Sequence, residues 1–209
     1  LAGNDTARAV EELRLAVGQD PRNARYHYGL GNAYLLAGRT DEAIETLRRA
    51  VELDPQYSDA QNALGTAYVR RQQWDAAIEA FRRALANPRY LKAEQAHLNL
   101  GNVYHVQGRH ELAAEQFRRV IDILPKSPDG YFFLGRTLLA QGKAAEAKEQ
   151  LAHAVKLTDA IPLFHLELGL AHQRLGEKAE AGTRFRRVLE LSPVGPEADQ
   201  ARRHLRDLN

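Results

Sequence analysis

Apolar residues recur every three or four positions along nearly the whole chain, in blocks of about a dozen residues parted by short polar turns. In the block ARYHYGLGNAYLL, residues 24–36, His27, Leu30, Gly31 and Tyr34 share one stripe, and in the following block Ala43, Leu47 and Ala50 do the same. That spacing is the signature of amphipathic helices, and no stretch alternates as a strand does. The pattern therefore predicts helices in pairs. The pairs repeat: Leu-Gly stands at 30–31, 64–65, 100–101, 134–135 and 168–169, in steps of 34 residues except for one step of 36.

Aligned on Leu-Gly, the units are residues 24–57, 58–93, 94–127, 128–161 and 162–195. Gly38, Gly108, Gly142 and Gly176 fall in the turns inside four of them, where a left-handed residue ends a helix. The remaining unit has Gln72 there, which predicts a turn of a different kind. Each second helix carries alanine and, four residues on, a large apolar residue: Ala43/Leu47, Ala77/Phe81, Ala113/Phe117, Ala147/Leu151 and Ala181/Phe185. The glycines of Leu-Gly lie mid-helix, where each costs about 1 kcal/mol against alanine. Such repetition implies that a bulky partner residue needs the space.

These features resemble the tetratricopeptide repeat (TPR) family, matched in the first full unit by Leu30, Gly31, Tyr34, Ala43, Leu47, Ala50 and Pro55. The resemblance spans residues 24–195. Leu138 and His172 depart from it where Tyr34, Tyr68 and Tyr104 stand, as do Val120 and Val188 at an alanine position. It implies an all-α fold, a right-handed superhelical solenoid of antiparallel helix pairs. Residues 1–23 carry Ala9, Leu13, Ala16 and Pro21, the spacing of a second helix alone, predicted over 5–18. An apolar face without its first helix there invites self-association, and the chain reads as starting inside a repeat. Residues 196–209, with Ala198, Ala201, Leu205 and Leu208 on one stripe, read as a capping helix.

Composition narrows the functional classes. The 209 residues are 44% hydrophobic and 27% charged, with a formal net charge of +2, nearly balanced for a dedicated nucleic-acid binder. No run of apolar residues approaches a membrane span. Without cysteine there is neither a disulfide nor a thiolate metal site. The eight histidines form no HxxxH or HExxH pair, and no phosphate-binding glycine motif follows a strand. The reading is of a non-enzyme that needs no cofactor or metal.

Two surfaces are candidates for binding. Paired arginines recur in the second helices at 48–49, 82–83, 118–119 and 186–187 and could form a basic ladder. Glu45, Glu79 and Glu115 are spaced to neutralise the first three pairs, and Arg186-Arg187 lack such a partner. The stronger candidate is a second stripe on the first helices, expected to face outward into a groove. It comprises Tyr28, Asn32, Leu35 and Leu36, then Asn62 and Val69, then Leu98, Asn102 and His105, then Phe132, Arg136 and Leu139, then Leu166 and Leu170. Apolar residues interspersed with amides and one arginine suit a peptide segment of a protein partner. Family members that clamp a C-terminal carboxylate use lysine or arginine where this chain has Tyr28, Asn62, Leu98, Phe132 and Leu166.

The irregular step falls in ALANPRYLKAEQAHLNLG, residues 84–101, which predicts a longer joint there, with the next helix delayed to about Ala93. This joint is similar to the middle joint of the type IV pilus pilotin lipoproteins (the PilF/PilW/Tgl family), through Ala86, Asn87, Pro88, Tyr90, Glu94, Ala96, Asn99, Leu100 and Gly101. Residues 189–205 are similar to that family's closing segment. The resemblance implies a scaffold that assists outer-membrane assembly and multimerisation of the pilus secretin. It also implies a place on the periplasmic face of the outer membrane, held only through an N-terminal lipid that residues 1–209, having no cysteine, do not carry. The alternative is a general TPR adaptor or co-chaperone, cytoplasmic or periplasmic, that binds a peptide of another complex.

Overall fold

In the computed structural model, which describes residues 2–208 and the side chains from Asp5 onward, the described residues form twelve helices and no strand. They are α1 (Ala2–Gln19), α2 (Ala24–Leu36), α3 (Thr40–Leu53), α4 (Ser58–Arg70), α5 (Trp74–Leu85) and α6 (Ala93–Val106). Then come α7 (His110–Ile123), α8 (Pro128–Ala140), α9 (Ala144–Leu157), α10 (Pro162–Arg174), α11 (Lys178–Leu191) and α12 (Pro196–Leu208). The helix predicted over 5–18 is longer at both ends. Contacts divide the chain into two compact units, Leu1–Val103 and Tyr104–Asn209. Within each, consecutive helices pack in chain order: α2 on α3 and α4 on α5 in the first, α8 on α9 and α10 on α11 in the second.

The Leu-Gly glycines explain the pairing. A Cβ on Gly31 would stand 2.5 Å from Leu47 Cγ, one on Gly65 2.5 Å from a Phe81 ring carbon, and Gly135 and Gly169 relate likewise to Leu151 and Phe185. These four large residues are fully buried. Each plugs the cleft that its glycine opens, so the helix-propensity cost is offset by close approach of two backbones.

The turns inside the pairs share one design. The residue at 38, 108, 142 and 176 is a glycine in the left-handed region, with φ between 72° and 76°. Its N–H and the next one return to the end of the first helix, as in Gly38 N–H to Leu35 O at 3.2 Å and Arg39 N–H to Tyr34 O at 2.9 Å. The different turn expected at Gln72 is not found. Gln72 itself adopts φ 56°, and Gln72 N–H and Gln73 N–H make the equivalent bonds to Val69 O and Tyr68 O. Hydrogen bonding by the helix end outweighs the left-handed cost for a residue with a Cβ.

Between pairs, the links at 20–23, 54–57, 124–127, 158–161 and 192–195 are four residues long, whereas the one at 86–92 has seven, as the irregular step predicts. This joint reuses the Asx-Pro turn of its neighbours: Asn87 Oδ1 accepts from Arg89 N–H, as Asp54 Oδ1 accepts from Gln56 N–H. Tyr90 thus stands where Tyr57 stands in its own turn, and Leu91 and Lys92 are interposed before α6.

At the front, Val10 is buried, while Ala9, Leu13, Ala16 and Val17 are half-buried, with Leu13 turned toward Gly29 of α2. At the end, α12 buries Ala198 and Ala201 and presents Arg202, Arg203 and Arg206 to solvent.

Candidate functional site

The expected stripe divides in two. Leu35, Phe132, Leu139 and Leu166 do not face outward; they are 7%, 3%, 4% and 2% exposed. Successive first helices touch one another, α2 with α4 and α8 with α10, and Leu35 and Phe132 lie in these seams. Leu35 belongs to the core that includes Leu30, Leu64 and Ala67. Leu166 packs with Ala181, Phe185 and Val188, and the Phe132 ring stacks on Phe164 at 4.3 Å. Arginine locks the same seams: Arg70 Nη1 donates to Leu35 O, and Arg174 Nη1 donates to Leu139 O, each capping the last turn of the preceding first helix. All four side chains are core rather than groove surface.

The rest of the stripe is accessible. Tyr28, Asn32, Asn62, Val69, Leu98 and Asn102 in the first unit are half-buried, as are His105, Arg136 and Leu170 in the second. Leu36 is 80% exposed, beside Val10 and Arg39. Several of the polar members are engaged within the array. Asn99 Nδ2 donates to Asn62 Oδ1 at 3.2 Å, Arg136 pairs with Glu167 at 3.2 Å, and His105 Nδ1 lies 3.0 Å from Thr137 Oγ1. Asn32 and Asn102 carry no side-chain hydrogen bond among the described residues.

Sequence reasoning missed one group. In the first unit the rings of Tyr28 and Tyr57 lie 4.9 Å apart at 54°, beside a carboxylate, Asp59, that binds Lys92 Nζ at 3.0 Å. Tyr90 approaches the same place: its phenol is pushed well above the ordinary range by burial and by the nearby Asp59, Tyr28 and Glu94. Its hydroxyl is buried without a hydrogen-bond partner. The longer joint is what delivers Tyr90 and Lys92 here. The signal was present in Tyr57 and Tyr90, which follow Asx-Pro by the same interval, but neither lies on a helix where the periodic stripe would include it.

In each pair of the arginine ladder at least one arginine is paired with an acid. Arg83 pairs with Glu79 at 2.9 Å as its spacing suggested, but Arg49 and Arg119 turn instead to Glu52 and Asp122, on the C-terminal side. Arg187, which lacks a glutamate three or four residues before it, pairs with Asp159 and with Glu190 on its C-terminal side. Among the described residues, no group of three or more His, Cys, Asp or Glu could hold a metal ion, and no helix is long and apolar enough to cross a membrane.

Stacked helix pairs that interlock through a glycine and a large apolar residue, with an accessible first-helix face, define a protein-interaction fold of helical repeats. Sequence models of the tetratricopeptide repeat match residues 1–58, 62–128 and 134–196, with a further match over 104–160, and the chain belongs to the tetratricopeptide repeat family. No curated relative matches the sequence. The fold is similar to that of PilW, a widely conserved type IV pilus biogenesis factor, with a TM-score of 0.85 and 23% identity over 94% of this chain and 90% of that one. Pseudomonas aeruginosa PilF gives a TM-score of 0.74 and 24% identity over 91% of this chain and 90% of that one. YrrB, a TPR protein with an unusual peptide-binding site, gives 0.73 and 19% over 93% and 100%.

Proposed function

We propose that this chain is a non-catalytic scaffold that grips a peptide segment of a partner protein, and that it serves as a pilotin for outer-membrane assembly of the type IV pilus secretin. The observation that carries this reading is the joint at 86–92. It has the residues of the pilotin middle joint, and it builds a seven-residue link that sets Tyr90 among Tyr28, Asp59 and Glu94. The likeness to PilW and PilF supports the reading at the level of fold. On this reading the chain works at the periplasmic face of the outer membrane, tethered only by an N-terminal lipid on a cysteine that residues 1–209 do not contain. The peptide lies on accessible first-helix residues, among them Tyr28, Asn32, Leu98 and Asn102, whose mixture of apolar surface and unused amides matches an extended or helical segment.

A general peptide-binding adaptor is the second reading, favoured by the likeness to YrrB. One experiment separates the two. The gene is deleted in the source bacterium, secretin multimers in outer-membrane fractions are measured, and purified chain is mixed with the secretin of the same genome. Loss of multimers together with direct binding supports the pilotin. Normal multimers and no binding overturn it in favour of the adaptor.

A further inference from the structure

The tyrosine cluster of the first unit has a chemistry of its own. The Tyr28 and Tyr57 rings lie 4.9 Å apart and tilted by 54°, Tyr90 approaches from the long joint, and the nearby carboxylate of Asp59 is one-third exposed. Aromatic faces carry negative charge density, and a carboxylate beside them adds a full charge, so the place attracts ammonium or guanidinium groups. A cation already sits there. Lys92 Nζ lies 3.0 Å from Asp59 Oδ1, and Tyr28 and Tyr57 stand close enough to favour its charged form further. Glu94 adds negative charge on the Tyr90 side, and Arg25 opposes it beside Tyr57.

We propose that the Tyr28–Tyr57–Tyr90 cluster is a receptor for a lysine or arginine side chain of the bound segment, and that Lys92 fills it in the free chain. The proposal rests on the peptide-binding reading above. Lys92 suits the part of a displaceable occupant because its side chain is 53% exposed and an ion pair in that setting is weak. It also lies on the interposed stretch of the joint, outside any helix, so it can swing away without unwinding one. An acidic segment would meet the carboxylates of Asp59 and Glu94 and is disfavoured.

The test uses the full chain and three fluorescein-labelled peptides of eleven residues, alike in an Ala/Leu/Gln background and differing only in a central Arg, Glu or Leu. Affinities are read by fluorescence anisotropy. The Arg peptide is expected to bind at least about tenfold more tightly than the Glu peptide, the difference made by one close charge pair. Asp59→Asn should erase that preference, and Lys92→Ala should tighten the Arg peptide several-fold by removing the internal competitor. A gain of affinity confined to the Arg peptide cannot arise from misfolding, which would favour all three alike, so Lys92→Ala keeps the test sound even if Asp59→Asn perturbs the fold. Equal binding of all three peptides, unmoved by either substitution, overturns the receptor and leaves the groove standing. A preference for the Glu peptide also overturns it. No binding by any of the three overturns groove and receptor together.

Discussion

The ring of Phe132 on α8 stacks on the ring of Phe164 on α10, with centroids 4.3 Å apart and planes 23° from parallel. Both rings are 3% exposed, so a residue that reads as a groove contact is a rivet between successive repeats. Truncating such a ring removes its transfer energy and leaves a cavity. Phe132→Ala should cost about 3–5 kcal/mol of stability in urea unfolding. Tyr28→Ala, on the accessible face, should change stability much less. If Phe132→Ala leaves the unfolding midpoint unchanged, the seam is not closed as described.

The glycine–leucine interlock makes a prediction against helix propensity. Gly31→Ala should gain about 1 kcal/mol from propensity alone. The new Cβ, however, would lie 2.5 Å from Leu47 Cγ and 2.7 Å from Leu47 Cδ2. Overpacking of this kind costs about 1–3 kcal/mol, so net destabilisation is expected. Leu47→Ala opens a cavity on its own, and combined with Gly31→Ala it should be less damaging than the sum of the two. Additive losses in a double-mutant cycle would show that the residues do not share one space.

Gln72 offers the opposite case. It holds φ 56° in a turn where four counterparts are glycine. Gln72→Gly should stabilise the first unit by about 0.5–1 kcal/mol, the relief of left-handed strain less the entropy that glycine gives up. Gly38→Gln, the reverse change in the preceding repeat, should lower the melting temperature. Identical melting curves for Gln72→Gly and the parent would show that the turn tolerates either residue.

His105 ties the second unit to pH. The Thr137 hydroxyl donates to Phe133 O at 2.8 Å, so His105 Nδ1–H donates to Thr137 Oγ1. Burial, then the charges of Arg136 and His110, hold the imidazole below its ordinary value of 6.5. The unfolded chain therefore takes up this proton first as pH falls. The stability due to neutral His105 is present above about pH 6.5, declines below it, and is fully lost once pH passes the depressed folded value. Burial of Glu167, resisted by Arg136, raises that carboxyl and contributes with the opposite sign in more acidic solution. Urea midpoints compared between about pH 7.5 and 5.5 should fall in the parent and fall less in His105→Gln. An equal fall in both would remove His105 from the account.

Much of the site lay within reach of the sequence because helical period assigns a residue to a stripe. Tyr28, Asn32, Leu98 and Asn102 were found in this way and are accessible. Period does not say what covers a stripe. Leu35, Phe132, Leu139 and Leu166 share the angular position of those residues, yet the neighbouring first helix and the arginines at 70 and 174 bury the seams they occupy. Tyr57 and Tyr90 escaped for a complementary reason: they sit in turns, where no period applies, and reach the site through the chain's path rather than along a helix face.

By itself the sequence determined the paired helices, the interlock of glycine with leucine or phenylalanine, and the place of the long joint. All of these are local or recur in register, so hydrophobic period and turn chemistry suffice to specify them. Only the tertiary structure decided which side chains of the second stripe are seam and which are surface, and that the Tyr28–Tyr57 pair, the Asp59–Lys92 ion pair and Tyr90 lie near one another. Their proximity depends on how residues up to 64 positions apart are stacked by intervening helices, a separation no local rule spans.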